Sequence, residues 1–109
     1  MTESAFLALR TETQDMVIHE ALGKGGAVGR YVNGGWDAFG EMWDALPIND
    51  VTDWKLTTAG DSTGHESHSV VRHGGFSPDT PPQHWSGWRK SPNLAVALAL
   101  LKAKGIIED

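Results

Sequence analysis

The chain has 109 residues, 39% hydrophobic and including five tryptophans, which is enough apolar material for one folded domain over 1–109 and too little length for two. Its net charge of −5 disfavours direct contact with a nucleic-acid backbone. The lack of cysteine excludes disulfide staples, thiolate catalysis and cysteine-ligated zinc.

The sequence shows no secretory pattern, and no run approaches the roughly 20 apolar residues that span a bilayer. A cytoplasmic protein without membrane contact is therefore expected. Residues 1–66 carry eleven acids and four bases, whereas residues 67–109 carry three acids and five bases. Between Asn33 and Asp53 lie five acids and no base. That stretch would attract a basic surface.

In chain order, "FLALR" reads as an early helical turn or an ordered arm. "TETQDMVIHEALG" predicts a helix. Thr11 and Gln14 form a capping box, Val17/Ala21 and Ile18/Leu22 are i,i+4 pairs, and Gly23 is the stop. His19 on this helix reads as a surface residue. "GKGGAVGRYVNGG" has six glycines in thirteen residues. It is a loop without the spacing or the terminal Lys-Ser/Thr of a phosphate-binding P-loop.

A second helix follows, capped by Asn33 and ended by Pro47. Trp36, Phe39, Trp43 and Leu46 fall on one stripe and predict the core face, with Trp43 at its centre. Asp37, Glu41 and Asp44 fall on a second stripe, which is either a solvated face or a partner surface. "VTDWKLTTAG" and "ESHSVVRH" alternate as strands, with Trp54, Leu56 and Thr58 sharing a face. "GGFSPDTPPQ" must be an irregular loop, and "HWSGWRK" reads as a short third strand.

The last segment, "SPNLAVALALLKAKG", carries full helix punctuation: Ser91 as N-cap, Pro92 at the first position, lysines in the last turn and Gly105 as the stop. The 92–104 helix is apolar nearly all round, so it is buried on several sides or forms a homo-oligomer contact. The expected fold class is α+β. A three-stranded antiparallel meander packs with about three helices, in the order α-α-β-β-β-α.

Three quoted stretches, "GGWDAFGEMWDAL", the "WKL" after it and "HWSGWRKSPNLAVALALLKAKGI", resemble the small phage and prophage proteins of the phage ABA-sandwich type. They match that family's central helix, Trp-bearing strand and alanine- and leucine-rich closing helix. The Gly-rich loop departs from it, standing where a longer aromatic and Pro-rich segment is expected. The resemblance implies an α/β sandwich and a phage accessory origin, and it implies no catalytic residues.

Three histidines lie in "HESHSVVRH". On a strand, His65 and His73 would be about 26 Å apart at roughly 3.3 Å per residue, so they cannot share a metal. Ser67 and Ser69 flank His68 but point the opposite way, which disfavours a nucleophile–base dyad. His73 and His84 sit at the two ends of a hairpin loop, with Arg72 beside them, and form a candidate ligand pair. No metal and no cofactor are expected.

The leading expectation is a non-enzymatic phage accessory protein, whose specific version is an inhibitor of a host defence component of the CRISPR or restriction kind. It would bind a basic protein surface through Asp37, Glu41 and Asp44, with Phe76 as a further anchor. The alternative is a small-molecule or nucleotide binder, or a hydrolase, that uses the Gly-rich loop with Arg30 and the His73/His84 pair.

Overall fold

The computed structural model describes residues 1–47, 52–60, 62–74 and 83–108. Its elements are α1 (Glu3–Leu7), α2 (Thr11–Ala21), α3 (Gly35–Asp44), β1 (Thr52–Gly60), β2 (Glu66–Gly74), β3 (Gln83–His84) and α4 (Pro92–Ala103). The class is α+β. The "FLALR" segment forms part of the extra helix α1, which sinks Phe6 fully into the core.

α4 organises the rest. Ser91 Oγ accepts from the Leu94 amide, Pro92 opens the helix, and Gly105 leaves it at φ +75°. From Ala95 to Leu101 every residue is fully buried. α4 packs on β2, α3 and α2, so it stands between the sheet and the other helices. Burial of each large aliphatic side chain contributes roughly 1.5–3 kcal/mol. Those side chains are covered by their own chain, the first of the two alternatives that the sequence left open.

β1 and β2 form one long antiparallel hairpin, in register from Thr52↔Gly74 to Gly60↔Glu66. Trp54, Leu56 and Val70 face the core, as alternation predicts, while Lys55 and Thr57 are exposed. Trp54 Nε1 donates to the Pro47 carbonyl at 2.7 Å, and its ring meets Trp85 edge-on.

The expected strand over "HWSGWRK" is not continuous. Only Gln83–His84 pairs as β3, with Val71↔His84, and contact resumes at the bridge His68↔Arg89. Three steps along β2 (71 to 68) therefore face five on the other side (84 to 89), which is a two-residue bulge. Gly87 turns through φ +64° there. The buried Ser86 Oγ replaces a missing backbone acceptor by taking the Val70 amide at 2.8 Å.

α3 is rotated from the sequence reading. Its buried line is Ala38, Met42 and Leu46; Phe39 and Trp43 are half-buried, and Trp36 is exposed. Both stripes have the helical period, so period alone does not choose between them. Packing does: small Ala38 lets α3 approach α4, where an indole would hold the axes apart. The predicted caps also differ. Arg10, not Thr11, precedes α2, and Gly34, not Asn33, precedes α3; neither makes a side-chain cap bond. Gly34 is required there because an added Cβ would collide with the Arg30 carbonyl and the Ala38 methyl.

The rotation sets an order of mutational cost. Met42→Ala should lose about 2–5 kcal/mol, the usual range for a buried large-to-small change. Trp43→Ala should lose less than Met42→Ala. Urea denaturation of the two variants beside the parent measures the difference, and the reverse order would restore the tryptophan stripe as the core.

Candidate functional site

Two surfaces carry chemistry. The first is the outer flank of α3. Trp36 is 69% exposed, and its ring meets Phe39 edge-on at 5.2 Å between centroids. Phe39 in turn stacks on Trp43 at 5.6 Å. The three rings form a ladder running from the buried part of the helix out to solvent.

Asp37 and Asp44 are exposed on the same helix, as predicted. Glu41 is partly covered and forms an ion pair with Lys24. The run from Asn33 to Asp53 lacks a base in sequence, but the Gly-rich loop brings one to it in space. The acidic surface is therefore Asp37 and Asp44, with Glu41 already engaged. Phe76 lies outside the described residues.

The second surface is built on α2 and the end of the Gly-rich loop. Gln14, Asp15 and His19 turn inward, which corrects the surface placement of His19 and the capping role of Gln14. Gln14 Nε2 donates to the Phe6 carbonyl at 3.0 Å. Asp15 Oδ1 accepts the amides of Tyr31 and Val32, both at 3.0 Å. His19 Nδ1 lies 2.8 Å from the Tyr31 hydroxyl, and among the described residues its Nε2 has no partner. Buried Asn93 donates from Nδ2 to the carbonyls of Tyr31 and Gly35, each at 2.8 Å. The loop is thereby pinned at Tyr31 from two helices. Between α2 and residues 28–33 a cleft of about 660 Å³ remains, with Glu12, Asp15 and Arg30 among its lining.

His19, His65 and His68 are not among the lining of that cleft. His84 stands opposite Val71 in the register, two positions away from His73. The side chains of Arg72, His73 and His84 lie outside the described residues. His68 Nδ1 is 3.0 Å from Thr58 Oγ1, and His65 Nδ1 is 2.6 Å from Thr63 Oγ1. Ser69 is fully buried. Among the described residues no residue of the sheet lines the cleft. Among the described residues no three His, Asp or Glu side chains gather as metal ligands, and no helix is long and apolar enough to cross a membrane.

No family model, curated protein or solved structure matches this chain.

The inward polar face of α2 was the feature missed in the sequence. His19 reads as a surface residue because polar residues usually are, Gln14 reads as half of a capping box, and Asp15 carries no signal of its own. A weak signal existed: α2 has few large apolar residues for a helix that must pack.

Tyr31 is almost fully buried, and desolvation, with the Asp15 carboxylate adding to it, raises its pKa above the ordinary 10.0. The neutral phenol is favoured in the fold. Its stabilisation is complete below the unfolded value and is lost as pH rises through the folded one. Tyr31 is the only tyrosine, so phenolate absorbance reports it alone. The native protein should titrate above the pH at which the urea-unfolded chain titrates, and stability should decline from about pH 10 upward. Coincident titration of the two states would contradict the burial.

Proposed function

We propose that this chain acts by binding another protein through the outer flank of α3, without catalysis of its own. The observation that carries the reading is Trp36, exposed at the end of a stacked aromatic ladder and next to the exposed Asp37. Tryptophan is enriched among residues that dominate interface energies, and an exposed indole backed by other rings is already ordered for docking. Asp37 and Asp44 would steer a basic surface toward it and weaken in effect as salt rises.

The resemblance to phage ABA-sandwich proteins supports an accessory role in a bacteriophage or prophage, exercised in the host cell. A host defence component that normally holds nucleic acid presents the basic surface that such a flank would meet. An inhibitor of the anti-CRISPR or anti-restriction kind is the specific form of this proposal.

The test is quantitative. A partner captured from bacterial lysate by the parent is purified, and its affinity is measured for the parent, Trp36→Ala, the Asp37→Lys/Asp44→Lys pair and Glu66→Lys, an exposed control on the sheet. Trp36→Ala should weaken binding roughly thirtyfold, the equivalent of about 2 kcal/mol. The double reversal should slow association and flatten its salt dependence, while Glu66→Lys should match the parent. Equal affinity of all four proteins would remove the α3 flank as the partner surface.

A further inference from the structure

The cleft beside Asp15 lies apart from the α3 ladder, and its reading does not depend on the one above. Its volume of about 660 Å³ falls within the usual range for small-ligand sites, roughly 300–1,000 Å³. Asp15 lines it and is only 7% exposed. Oδ1 of Asp15 is taken by the Tyr31 and Val32 amides. Among the described residues no hydrogen bond engages Oδ2, and that oxygen is not sealed from solvent.

Glu12 stands one helical turn earlier on the same wall, exposed and without an ion pair among the described residues. Met16 and Val28 line the cleft while remaining 50% and 46% exposed, which is unusual for apolar side chains with a concave surface beside them. Among the described residues Arg30 is the one base in the lining, and two acids less one base leave one net negative charge there.

We propose that this cleft binds a primary ammonium carried on an apolar stem. The ammonium donates to Asp15 Oδ2 and to Glu12, using two of its three N–H groups. The stem covers Met16 and Val28 and removes them from water. An organic anion would meet two carboxylates against the one guanidinium of Arg30, and an uncharged apolar molecule would leave a largely desolvated carboxylate oxygen without a donor. Arg30 is exposed on the same cleft, without an ion pair among the described residues, and competes with the ligand for the carboxylates. Such an ammonium comes either from a free alkyl diamine or from a lysine side chain of a bound protein.

The experiment is an NMR titration of the full ¹⁵N-labelled chain with three probes: 1,5-diaminopentane, N-acetyl-lysine methylamide, and pentanoate as the charge-inverted control. Asp15 also pins the loop, so the variants are Glu12→Gln and Arg30→Gln, both at exposed positions. Saturable shifts confined to amides 11–16 and 28–33 are expected with the amines and not with pentanoate. Glu12→Gln should weaken binding about two- to fivefold, the effect of one exposed charge, and Arg30→Gln should strengthen it. Tighter binding of the diamine assigns the site to a free small molecule; tighter binding of the lysine amide assigns it to a partner's side chain. The proposal is overturned if neither amine gives saturable shifts, if pentanoate binds as well as they do, or if Glu12→Gln leaves amine binding unchanged.

Discussion

A helix that is apolar on every side cannot rest on a surface, and α4 is such a helix. Ala95 through Leu101 are fully buried, so other elements are obliged to cover it. β2 takes one side, and α3 and α2 take others. Glu3 on α1 reaches Lys102 near the end of α4 and Arg89 after the bulge, at 3.1 and 3.0 Å. These surface pairs contribute little energy each but tie the first helix to the last. The alternation of small and large residues along α4 lets three neighbours approach closely, and α3 answers with Ala38 and Met42.

That arrangement fixes what is left outside. Once Ala38, Met42 and Leu46 face α4, the aromatic residues one step round the helix can be only half covered. Trp36 at the first turn is left in solvent. The Gly-rich loop is held by a different mechanism. It sinks only Tyr31 into the core, with Val32 half-buried beside it, and polar groups hold the rest: Asp15 on two amides, His19 on Tyr31, Asn93 on two carbonyls, and Lys24 on Glu41. Each buried partner lost would leave a group unsatisfied at about 1–3 kcal/mol. The cleft at Asp15 exists because the loop is pinned at Tyr31 rather than packed down on α2.

Much of this was legible in the chain. α4 and its caps, the alternating hairpin with Trp54 and Leu56 inward, and the extents of α2 and α3 followed from periodicity and punctuation. The continuous third strand did not, because "HWSGWRK" places Ser86-Gly87 where the ladder bulges, and a serine side chain standing in for a backbone group leaves no periodic trace. The core face of α3 was misread because hydrophobicity favours tryptophan over alanine, whereas helix approach favours alanine. Of the site, Asp37 and Asp44 were visible as exposed acids. The pairing of Glu41 with Lys24 joins residues 17 positions apart and needed the fold. Asp15 was invisible for the same reason: its partners, Tyr31 and Val32, reach it only when the loop closes.

Every surface described above depends on α4 being the part of the molecule that opens last. Native-state hydrogen exchange tests this most directly. The amides of Leu94 to Leu101 should exchange only through global unfolding, with an opening free energy equal to that from urea denaturation, while residues 23–29 exchange far faster. Exchange of the α4 amides through a smaller, local opening would contradict the account, because the helix would then be a peripheral element and not the post on which the fold is built.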